Sequence, residues 1–172
     1  MPLGAGMTLK WKALLLLAAL VGAMQFAGPK PVNPLSPEHD ALEADPDVPA
    51  GMAKILERSC MDCHSNRTHW RWYSHVAPVS WYIHYHIEAG RKKMNLSEWS
   101  SRRDSAGVVI HSINDLEAVC DAVSKGTMPY RSYTLLHPDA VLSPSEKKAI
   151  CDWTDKLELQ RNAPAASGGA AK

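Results

Sequence analysis

From about residue 48 onward, hydrophobic positions recur at helical spacing. Met52, Ile55, Leu56 and Cys60 follow i, i+3, i+4, i+8, the stripe of an amphipathic helix, with Asp47 ahead of it and Pro49 in its first turn. Pro78 opens a second helix through Trp81, His84, Tyr85 and Glu88, with Gly90 as the expected stop. Asn95-Leu96-Ser97-Glu98 is a capping-box pattern, and Met94 and Trp99 on either side would staple the helix it starts. Val109, Ile113, Leu116, Cys120 and Val123 step by 4, 3, 4, 3, and Gly126 supplies the stop. A second capping box, Ser143-Pro144-Ser145-Glu146, opens a helix with the stripe Ile150, Trp153, Leu157. No run alternates with period two over more than a few residues. The pattern predicts an all-α domain of about five helices, with loops near 65–77 and 127–142.

The ends of the chain read differently. Lys10 and Lys12 precede about fifteen apolar residues, Ala13 to Ala27, which is the make-up of an export signal. Val21-Gly22-Ala23 offers a small-residue cleavage site. The alternative is an uncleaved anchor over 9–27, although a span needs roughly 17–25 apolar residues. Either way the rest of the chain is expected outside the cytoplasm, in the periplasm or its equivalent. Six of the twelve prolines fall between Gly28 and Pro49, interleaved with acids. That composition predicts an extended spacer without a core. The expected division is therefore 1–27 signal or anchor, 28–47 acidic linker, 48–161 domain, and 162–172 flexible tail.

Charge narrows the function. Nineteen Lys and Arg against eighteen Asp and Glu leave a net charge of +1, which lacks the basic excess of a nucleic-acid binder. The four cysteines are too few for a disulfide scaffold. Two of them, in Cys60-Met61-Asp62-Cys63-His64, form Cys-x-x-Cys-His, the attachment sequence of a c-type haem. Two thiols three residues apart can each add to one vinyl group of the porphyrin. His64 lies one helical turn after Cys60 and points back at the iron. Export agrees, because bacteria attach this haem outside the cytoplasm. Two other classes compete: a thioredoxin-like pair, which wants a βαβ context, and a zinc site completed by Cys120 and Cys151. Those two cysteines form either a disulfide or two inert buried thiols.

Cys60-x-x-Cys63-His64-Ser65-Asn66-x-Thr68-x-Trp70-x-Trp72-Tyr73-Ser74 is followed by Ala77-Pro78-Val79-Ser80-Trp81, Gly90-Arg91 and Asn95-Leu96-Ser97-x-Trp99. With Met128-Pro129, Tyr133, His137-Pro138, Leu142-Ser143 and Trp153, this series resembles the bacterial haem-binding domain family over about residues 25–155. The resemblance implies a small exported or membrane-anchored c-type cytochrome domain with one covalent haem c. It carries nothing over onto Cys120 and Cys151.

The second face of the iron separates an electron carrier from a gas sensor or peroxidase with an open position. Met128, between the Gly126 stop and Pro129, is the expected sixth ligand, and His84 the alternative. His84 and His86 are about 200° apart on one helix, so at most one can face the haem; His84 shares a stripe with Trp81. Trp70, Trp72, Tyr73 and Trp81 are expected to wall the haem, with Arg71 and Arg67 against its carboxylates. Arg91, Lys92, Lys93, Arg102 and Arg103 would be a docking patch for an acidic redox partner, or only a solvated face. The expected function is single-electron transfer rather than catalysis, with membrane contact only through the N-terminal segment.

Overall fold

A computed structural model describes residues 8–100, 102–103, 109–110 and 116–162. The regular elements among the described residues are helical apart from one two-residue antiparallel pairing, Arg102 with Ile110 and Arg103 with Val109. The helices are α1 (Leu9–Met24), α2 (Ala50–Ser59), α3 (Met61–His64), α4 (Val79–Lys93), α5 (Leu116–Ser124), α6 (Arg131–Thr134) and α7 (Pro144–Asn162).

Where the sequence carries a cap or a stripe, the element follows. Ser143 and Glu146 bond reciprocally at the start of α7: the Ser143 N–H donates to Glu146 Oε2 at 2.8 Å, and the Glu146 N–H to Ser143 Oγ at 3.2 Å. Gly126, at φ 68°, is the left-handed stop after α5. The stripes of α2, α5 and α7 meet around Leu56, Leu96, Trp99 and Ile150, each at most 2% exposed. Trp99 and Trp153 stack with ring centroids 5.7 Å apart. Burial of each such side chain stabilises by about 1.5–3 kcal/mol. A disulfide joins Cys120 on α5 to Cys151 on α7.

Four expectations are corrected. Gly90 does not end α4, which runs on to Lys93. The box at 95–98 makes only a 3₁₀ turn: Asn95 caps Ser97 N–H, but Glu98 accepts from Asn66 instead of closing the box. The stripe from Val109 does not form one helix, because Val109–Ile110 is extended and α5 starts at Leu116; Ile113 lies outside the described residues.

The fourth concerns the proline-rich segment, which is no spacer. Leu42 is fully buried in the core, and Trp99 Nε1 donates to Asp45 at 2.7 Å. Asn33 bonds both Trp70 Nε1 and the Thr68 carbonyl, and Gln25 bonds both backbone groups of Ala77. The prolines keep this strap extended, and its few apolar and amide side chains suffice to dock it. α1 precedes the strap with every residue at least partly exposed; at 16 residues it spans about 24 Å. No helix among the described residues is long and apolar enough to cross a membrane. The expected tail beyond 162 lies outside the described residues.

Candidate functional site

The cysteine motif sits at a break between two helices. Cys60 leaves helical geometry at φ −126°, and a single turn, α3, carries Cys63 and His64. The His64 N–H bonds the Cys60 carbonyl at 2.9 Å, so the pair stands one turn apart as the spacing demands. Gly90 is what lets α4 press against this turn: a Cβ there would lie 2.5 Å from the Cys63 carbonyl oxygen. A helix stop in the sequence reading is thus a close-approach glycine in the fold.

Burial lowers the pKa of His64, against the opposing pull of the Met94 and Gly90 carbonyls. The ring is therefore neutral at pH 7, with Nδ1 3.3 Å from the Met94 carbonyl. Nδ1–H donates there, and Nε2 keeps a free lone pair, the arrangement of an axial histidine steadied by its other nitrogen. Burial pushes the Cys60 thiol up to about 12 and that of Cys63 up to about 11. Such thiols stay protonated and are poor redox nucleophiles, which does not suit a thioredoxin-like pair. The zinc reading fails as well, since Cys120 and Cys151 are already bonded to each other. Among the described residues no cluster of three His, Cys, Asp or Glu is placed to hold a metal ion.

Cys63 opens onto a cavity of about 430 Å³. Trp70, Arg71, Trp72 and Tyr73 form one wall, leading into the 3₁₀ turn Trp72–His75. Val79, Tyr82, Ile83, His86 and Ile87 form another, a continuous face of α4 at i, i+3, i+4, i+7, i+8. Tyr130, Tyr133, Leu136 and His137 close it from α6 and its flanks. Several of these are unusually open for aromatic or apolar residues: Trp72 is 77% exposed and Leu136 63%. A flat apolar group seated here would cover them.

Polar contacts tie the walls to the motif. Asp62, between the two cysteines, accepts from Tyr133 OH at 2.8 Å and from the His69 N–H at 3.0 Å. Burial first, then the Asp62 charge, raises the Tyr133 pKa, so its hydroxyl stays a donor. Tyr73 OH and His137 Nε2 are 2.6 Å apart, and His137 stacks on Tyr133 at 4.1 Å.

Of the expected wall, Trp70, Arg71, Trp72 and Tyr73 are brought together with Cys63, but two polar tips are already spent. Trp70 Nε1 serves Asn33 and Tyr73 OH serves His137. Arg67 pairs with Glu43, whereas Arg71 lies exposed at the rim. Trp81 is not in the wall; it covers Gly28 of the strap. Met128 is not in the wall either: its N–H closes α5 on the Ala122 carbonyl, and the neighbouring Tyr130 reaches the cavity. His84 is not among the lining residues; it is buried behind Trp70, stacked on it at 4.6 Å, with its Nε2 unpartnered. Arg91 leaves the docking patch, since its side chain is only 8% exposed and bonds the carbonyls of Ser65 and Val32, Asn33 and Thr68. Lys92 and Lys93 remain exposed; the side chains of Arg102 and Arg103 lie outside what is described. The cavity residues given no role from the sequence were Asp62, Tyr82, His86, Tyr130, Tyr133 and His137. Tyr133 and His137 stood in the family series and Asp62 in the cysteine motif without a role, and the Val79-Tyr82-Ile83-His86 spacing was the signal for Tyr82 and His86.

The chain belongs to the haem-binding domain family, whose model matches residues 19–156. Neither the curated proteins nor the solved structures yield a significant match.

Proposed function

We propose that the protein is a c-type cytochrome domain. It would carry one haem c on thioether bonds from Cys60 and Cys63, with His64 as an axial ligand, and pass single electrons outside the cytoplasm. The observation that carries this reading is the junction of motif and cavity. The free thiol of Cys63 lines an aromatic cavity of about 430 Å³, and the adjoining histidine has Nδ1 engaged and Nε2 available. Both features fit the group's chemistry.

The haem iron supplies the one-electron couple. The chain's own residues do the rest. Gly90 lets α4 back the motif, and the Met94 carbonyl fixes the tautomer of His64. The walls of α4 and α6 exclude water, which tunes the couple through local polarity. Arg71 at the rim is placed to balance carboxylate charge. Among the described side chains of the basic run, Lys92 and Lys93 are exposed and would steer an acidic partner. The N-terminal apolar segment, Leu9 to Ala27, would direct export or hold the domain at a membrane.

Production in a host with a haem-attachment system, followed by acid-acetone extraction, tests the reading. Haem should stay with the denatured protein and be lost from Cys60→Ser/Cys63→Ser. Haem passing into the solvent would overturn it. Fractionation of the producing cells should place the loaded protein outside the cytoplasm.

A further inference from the structure

We propose that His86, on α4, is the second axial ligand of the haem iron; the inference rests on the haem c reading above. Four observations converge on this residue. First, His86 lies on the α4 face that walls the cavity, with Tyr82 and Ile83, whereas His84 and Met128 do not line it. Second, its Nδ1 is 2.8 Å from the Tyr82 carbonyl one turn back. A carbonyl can only accept, so Nδ1 carries the proton and the Nε2 lone pair is left over. His64 is fixed in the same way by the Met94 carbonyl.

Third, the ring is held between aromatic neighbours, with Tyr82 at 4.0 Å and Tyr130 at 5.0 Å edge-on. A ligand packed in this way loses little rotamer freedom when it coordinates. Fourth, the other histidines of the wall are engaged elsewhere. His137 has its Nε2 against Tyr73 OH at 2.6 Å, and His69 is tied to Asp62 of the attachment motif itself. A residue tethered between the two cysteines belongs to the His64 side of the iron. α4 packs against that turn at Gly90, and His86, one helical turn earlier, is the histidine it presents to the cavity.

Two neutral imidazoles would make the iron six-coordinate and low-spin, with a lower potential than a histidine–methionine pair gives. The experiment uses the full-length haem-loaded protein. The ferric wild type should lack the far-red sulfur-to-iron charge-transfer band and should not bind carbon monoxide when reduced. His86→Ala should bind carbon monoxide readily, and Met128→Ala should leave spectrum and ligand binding unchanged. His86→Met, which keeps a ligand of similar size, should introduce the sulfur band and raise the potential.

A sulfur band in the wild type that Met128→Ala abolishes would overturn the proposal in favour of Met128. Opening of the site by His84→Ala and not by His86→Ala would overturn it in favour of His84. Free carbon monoxide binding by the wild type would overturn it in favour of an open position. In each case haem still bonded to Cys60 and Cys63 leaves the c-type reading standing. Protein without covalent haem would sink both.

Discussion

At the scale of single residues, three side-chain replacements separate close packing from charge. Gly90 and Gly51 both lie inside helices, where alanine ordinarily stabilises by up to about 1 kcal/mol. A Cβ at Gly51 meets nothing within 4 Å, whereas one at Gly90 meets the Cys63 carbonyl at 2.5 Å. Gly51→Ala should therefore be neutral or mildly stabilising in a thermal melt. Gly90→Ala should cost roughly 1–3 kcal/mol and lower the haem content per protein, because the attachment turn is forced off α4. Equal haem content in the two variants would count against that account. Glu146 supplies the pH dependence. Bonds from the Ser143 backbone and hydroxyl, then Arg58, hold its carboxyl below the ordinary value of 4.5. A depressed carboxylate adds stability that is fully present above 4.5 and lost as pH falls through its lower folded value. Acid melts of Glu146→Gln should lack that step; at pH 7 the amide oxygen can still accept from the Ser143 N–H, so the variant should lose only the charge and the Arg58 pair, up to about 1 kcal/mol.

Among the elements, the α5–α7 pair stands apart from the cavity, and neither helix contributes to its wall. The bridge between Cys120 and Cys151 closes 31 residues, for which the chain-entropy model gives about 3–4 kcal/mol. Cys120→Ser/Cys151→Ser should lower the melting temperature by roughly 10 °C while leaving the haem spectrum unchanged. A changed spectrum would mean that the pair also shapes the cavity. The same elements show what the sequence could reveal. Helix stripes and caps are local, so α2, α7 and the stop after α5 were legible, as was Cys60-x-x-Cys63-His64. Long-range choices were not. Gly90 reads as a stop until Cys63 is known to lie against it. Arg91 reads as surface charge until Ser65, Thr68 and the strap surround it. His84 and His86 share one helix, and periodicity told them apart only relative to a stripe anchored on Trp81. Trp81 lies against the strap and His86 lines the cavity, so that stripe does not mark the cavity face of α4.

The whole molecule depends on that strap more than its composition suggests. Every residue of α1 is at least partly exposed, and among the described residues the first with side-chain bonds into the domain is Gln25, through Ala77. Residues 25–33 then run over Trp81, Thr68 and Trp70. The segment 32–33 gives Arg91 two of its partners. Two truncations, each exported behind the same foreign signal, should therefore behave differently. Among the described residues, removal of 1–24 deletes no side-chain hydrogen bond to the domain, and it should shift the melting temperature of the haem-loaded protein by a few degrees at most. Removal of 1–35 strips Trp70 Nε1 and the Thr68 carbonyl of their Asn33 bonds and leaves Arg91 short of acceptors. Each lost partner costs about 1–3 kcal/mol. Trp70 would also be freed at the cavity wall, so the shorter form should load less haem as well as melt lower. Asn33→Ala in the intact chain should reproduce part of the loss, which separates the bonds from any effect of the new chain end. Identical melts and haem contents for the two truncations would mean that the strap merely lies on the surface.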